Sequence, residues 1–140
     1  MSFLYQGKIL LMDNFREFDA GPDPFGRTYH VMMKWLQTAI SIRHADTVDV
    51  QFLVNDGSKV LKRTVAMQDA QLLAHCKKTG RMMDDAWCAR LAALHLKNMI
   101  ETAEDFDKDL VTLSPAQIAE YDEVVRKWET SEVHDRRKAS

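Results

Sequence analysis

Two β-rich segments meet at Asp56-Gly57 and run straight into helical sequence, and this stretch limits the possible folds more than any other. From Thr47 onward, Val48, Val50, Phe52 and Val54 alternate with more polar neighbours, so the four share one face of a strand, and that face belongs to the core. Asp-Gly supplies both positive-φ positions of a type I′ turn, and a two-residue loop would pair Phe52 with Leu61 and Val48 with Val65. Lys59 and Arg63 then fall on the same face, which calls for an exposed edge or for a bulge that shifts the register.

Upstream, the apolar run Lys8 to Met12 reads as a short strand, and Asp19 to Gly26 reads as an ordered loop carrying two prolines and two glycines. Phe25, inside that loop, is expected to plug the edge of the core. Residues 28–36 fit either period. Tyr29, Val31, Met33 and Trp35 line one face of a strand, whereas Tyr29, Met32, Met33 and Leu36 line one face of a helix. The alternation in Ile40 to Arg43 favours a strand, with a bend near Gln37-Thr38 and a return through His44 to Thr47.

Beyond Met67 the pattern becomes helical. Asp69 is the expected N-cap of a short helix that Gly80 ends, with Lys77 and Lys78 at the negative pole of its dipole. A longer helix starts near Asp84 or Asp85 and runs towards Ala103, apolar on most sides and therefore central. The acidic run Glu101 to Asp109 ends it. Ser114-Pro115-Ala116-Gln117 has capping-box spacing with proline at the first helical position, and starts a last helix with Ile118, Tyr121, Val125 and Trp128 along one stripe. The expected fold is α+β: an antiparallel sheet of about four strands from the N-terminal half, packed against two or three helices from the C-terminal half. Residues 1–129 form a single domain in this reading, and 130–140 a polar, disordered tail.

With 140 residues, 46% of them hydrophobic, the chain can bury one real core, and a net charge of −2 is unlike that of a disordered chain. The same balance argues against nucleic acid as a partner, leaving only Lys59, Lys62, Arg63 and the Arg136-Arg137-Lys138 tail to contact phosphate. No run reaches the length of a membrane span, and the first residues lack a basic segment ahead of a long apolar one, so the expected location is cytoplasmic. Two cysteines, Cys76 and Cys88, are there expected to be reduced and partly buried.

Candidate chemistry is sparse. Cys88 and His95 stand seven residues apart on one helix, roughly 10 Å along its axis, and His75 and Cys76 diverge by about 100°, so neither pair holds one zinc ion. No metal site and no cofactor are expected. Lys77, Lys78 and Arg81 would favour the Cys76 thiolate if that thiol were exposed, while burial would make it a small hydrophobe. Glycine-rich phosphate loops and the nucleophile elbow of hydrolases are absent from the sequence. The residues favour a non-catalytic binding or assembly module acting as a homo-oligomer, with Ile118, Tyr121, Val125 and Trp128 as the interface. The alternative is a small-molecule-binding protein or small enzyme, with a pocket between sheet and helices lined by Tyr29, His30, Trp35, Trp87 and His95.

Overall fold

A computed structural model describes residues 14–39 and 46–139. Five strands form one sheet in the order of the chain: β1 (Glu17–Ala20), β2 (Tyr29–Ala39), β3 (Thr47–Asn55), β4 (Val60–Gln68) and β5 (Leu110–Thr112). All neighbours are antiparallel except β4 and β5, which are parallel because α1 (Asp69–Thr79) and α2 (Asp85–Thr102) intervene. The last element is α3 (Pro115–Ala139). The architecture is therefore α+β, with sheet first and helices after it. The expected strand at Lys8 to Met12, the alternation from Ile40 to Arg43 and His44 lie outside the described residues.

Residues 29–39 are strand, because the segment pairs on both sides, with β1 and with β3. Its register breaks between Met33 and Trp35. The expected bend near Gln37-Thr38 is not where the irregularity falls, since both residues stay in register with Asp49 and Val48. Lys34 is the extra residue, and it turns over the alternation: Tyr29, Val31 and Met33 face the helices, and so does Leu36, while Trp35 falls opposite Gln51 on the other face.

The β3–β4 hairpin also departs from its expected register. Asn55 pairs with Val60, so the loop has four residues, and Phe52 meets Arg63, Val54 meets Leu61 and Val48 meets Met67. Asp56 explains this. Its carboxylate accepts the amides of Ser58 (2.8 Å) and Lys59 (2.8 Å), and these hydrogen bonds, first of all that from Lys59, hold its carboxyl down at about 2. The shift is two residues, so the apolar face is preserved, and Val48, Val50, Phe52 and Val54 are all buried. Lys59 moves into the loop, while Arg63 stays inside. Its Nε donates to the Phe106 carbonyl (2.7 Å), its guanidinium lies 5.0 Å over the Phe106 ring, and Asp109 stands 3.3 Å away. The acidic run is thus more than a helix end, because it clamps Arg63 and delivers β5 to the edge of β4.

Helix ends follow local chemistry where a loop precedes them. Asp84 caps α2 by accepting the Trp87 amide (2.8 Å), and Gly80 closes α1 at φ 75°. Ser114 and Gln117 exchange the two bonds of the capping box, 3.2 Å and 2.9 Å. Ser114→Ala is expected to lose about 1 kcal/mol of stability in urea unfolding; a change below about 0.3 kcal/mol would show that the box contributes nothing. Asp69, by contrast, is not the cap. β4 enters α1 without a loop, Gln68 holds the cap position with no side-chain bond, and Asp69 sits in the first turn with its amide donating to the Asp46 carbonyl (2.8 Å). α2 is the central helix, with Leu91, Ala92, Leu96 and Ile100 buried between the sheet and α3.

Candidate functional site

The most elaborate polar constellation centres on Asp122 of α3, whose side chain is 1% exposed. It follows Tyr121, and one step of about 100° along the helix turns it from the apolar stripe towards α1 and the start of α2. Four donors converge on it. His75 Nε2 of α1 lies 2.7 Å from one oxygen and Arg126 Nε 3.1 Å from the same one. Trp87 Nε1 of α2 donates to the other oxygen at 2.9 Å, and Arg81 Nε stands 2.7 Å from it, an ion-pair distance without hydrogen-bond alignment. The His75 and Trp87 rings lie parallel with centroids 6.1 Å apart, and Arg81 covers the indole face at 5.6 Å while pairing with Glu129 at 2.7 Å. Burial alone would push the Asp122 carboxyl up. Hydrogen bonds from His75, Trp87 and Arg126 and the charge of Arg81 outweigh it and hold the group below the usual carboxylate range.

An open groove of about 460 Å³ runs beside this cluster between α1 and α3, with His75, Thr79, Asp122 and Arg126 among its walls. The parts of a nucleophilic site do not come together there. Cys76 is buried, and desolvation, with Asp122 nearby, pushes its thiol up in spite of Arg81. Thr79 donates its hydroxyl to the His75 carbonyl at 2.8 Å. Asp122 has a donor for each oxygen and ties three helices together, the geometry of a keystone. Cys88 is likewise buried, and its thiol is pushed up to about 12. Both cysteines pack as small hydrophobes.

The five residues expected to line one pocket are dispersed. Tyr29 is buried under Phe106, 5.5 Å between centroids, and its hydroxyl donates to Asp23 at 2.8 Å. His30 is on the opposite face of β2, bracketed by Asp19 and Glu17 at 2.8 Å each, which raise its pKa. Trp35 shares that outer face. Trp87 belongs to the Asp122 cluster, and His95 is buried two helical turns away with its Nδ1 2.8 Å from the Tyr121 hydroxyl. The expected interface stripe is covered within the chain: Ile118, Tyr121, Val125 and Trp128 all pack into the core. Phe25 is no core plug, because it is 84% exposed on a loop that Asp23 organises through the Phe25 and Arg27 amides, 2.9 Å each.

Burial alternates along β3, with the inner residues closed off by helices and the outer ones only half-buried. Hydrogen-bond register aligns Glu17, Met32, Leu53 and Lys62 in one row across the outer face, and Trp35, Gln51, Thr64 and Leu110 in the next. Met32 and Leu110 are 44% and 54% exposed. Sequence reading missed this row because the Lys34 bulge moves Trp35 onto it, and missed Asp122 because a lone carboxylate in a helix gives no sign of burial. Arg126 at i+4 was the one local signal.

Among the described residues, fold and site define an α+β arrangement of a five-stranded, mostly antiparallel sheet packed with three helices. Searches against protein-family models, curated proteins and solved structures find no match for this chain. Among the described residues, no three His, Cys, Asp or Glu side chains are grouped to hold a metal ion, and no helix is long and apolar enough to cross a membrane.

Proposed function

We propose that this chain is a non-catalytic assembly module that works as a homodimer through the outer face of its sheet. The observation that supports this reading is the pair of adjacent rows on the face opposite the helices that carry Met32 and Leu53, between Glu17 and Lys62, and Trp35 and Leu110, on either side of Gln51 and Thr64. Apolar groups gathered on one half-buried face favour association, because burying them against a partner removes them from water at about 25 cal/mol per Å². The Asp122 carboxylate, in contrast, already has a donor at each oxygen within the monomer and fits a role in stability.

The test is light scattering and native mass spectrometry of the full chain over a range of concentrations, with Trp35→Glu beside it. The wild type is expected to be dimeric at micromolar concentration, and Trp35→Glu monomeric with an unchanged circular dichroism spectrum and melting temperature. A wild type that stays monomeric at every concentration would overturn the reading.

A further inference from the structure

Resting on the homodimer reading, we infer that the partner at the sheet face is a second copy stacked about a twofold axis parallel to the strands, with the two β3 strands crossing at Leu53. The charge pattern selects this arrangement. At the β1 side of this face Glu17 and Asp19 share one His30 at 2.8 Å each, which leaves that edge with two carboxylates to one imidazole, and Lys62 stands on β4. A twofold axis in the plane of the sheet but perpendicular to the strands would lay β1 on the partner's β1 and β4 on the partner's β4, setting the two acidic edges, each with one His30, against each other and keeping Lys62 away from the partner's Glu17. An axis along the strands over β3, the central strand of the five, lays β1 and β2 over the partner's β4 and β5.

The two rows then match themselves. Leu53 meets the partner's Leu53. Lys62 comes between the partner's Met32 and the partner's Glu17, its stem along the thioether and its ammonium at the carboxylate. Trp35 covers the partner's Thr64 and the partner's Leu110. Aligned sheets stack about 10 Å apart and rotated by about 30°, which also draws the two Asp49 carboxylates, roughly 13 Å along β3 from the crossing, several ångströms apart sideways. Strands about 4.8 Å apart, rising about 3.3 Å per residue and 4, 11, 9, 9 and 3 residues long, give a footprint of roughly 600 Å² per copy, at the low end for a stable dimer.

The experiment is charge reversal measured by sedimentation at low salt, together with a cysteine at the crossing point. Lys62→Glu and Glu17→Lys are each expected to weaken dimerisation about tenfold or more, and the double variant to recover to within about threefold of wild type. Leu53→Cys is expected to form a disulfide-linked dimer under mild oxidation. If the wild type dimerises, but the double variant is no tighter than the single ones and Leu53→Cys does not cross-link, this orientation is wrong although the assembly reading stands. A monomeric wild type would remove both.

Discussion

Asp122→Asn is expected to cost on the order of 3–5 kcal/mol of stability, the range for breaking a buried ion pair by removing one partner. The carboxylate is closed off from water, and it balances Arg81, whose side chain is only 12% exposed. Asparagine keeps the shape, yet it removes the charge and turns one acceptor into a donor facing His75 and Arg126 or facing Trp87 and Arg81. In a chain of this length the loss corresponds to a fall of more than about 10 °C in Tm. Urea unfolding with an unchanged m-value would assign the effect to the native state. Arg126→Ala is the control: Arg126 is 44% exposed, so its contact with Asp122 is expected to contribute less than about 1 kcal/mol. An Asp122→Asn loss no larger than that of the control would show that the cluster is not a keystone.

Acid is expected to weaken the fold well above the carboxylate range, through His95. Burial pushes the pKa of this imidazole down to about 4, against an ordinary value near 6.5. Below pH 6.5 the unfolded chain takes up a proton that the folded chain refuses until about pH 4. Stability therefore falls as pH falls through that window, by on the order of 3 kcal/mol in total. His30 has the opposite sign. Hydrogen bonds to Asp19 and then Glu17 raise its folded value, so its small contribution is present at acid pH and is lost as pH rises through that value. Asp122 works lower still, since its depressed carboxyl withdraws support only as pH falls below the ordinary carboxylate range. Urea unfolding at pH 7, 6, 5 and 4.5 checks the His95 effect, and His95→Gln, which does not titrate, should flatten the slope. An equal slope in the variant would assign the acid sensitivity elsewhere.

The parts of this fold that were legible in advance are those with a local cause. The capping box at Ser114 and Gln117, the Asp84 cap and the αL close at Gly80 each depend on residues within a turn of one another. The apolar alternation of β3 survived a two-residue register error because a shift of two leaves every side chain on its original face. A shift of one does not, which is why the bulge at Lys34 moved Trp35 from the predicted pocket to the outer face. β5 was missed for a related reason: three residues carry no period, and they become a strand only where β4 offers them an edge.

Local chain chemistry, then, was sufficient for the α+β class, the core face of the hairpin and the starts of α2 and α3, since period, turn residues and caps act over a few residues. Long-range contact decided the rest. Asp122, His75, Arg81 and Trp87 are brought together by the packing of three helices, and burial, not spacing, sets the acid sensitivity of His95 and the inertness of both thiols. The stripe from Ile118 to Trp128 turned inward for the same physical reason: α1 and α2 cover it within the chain, which removes its apolar side chains from water.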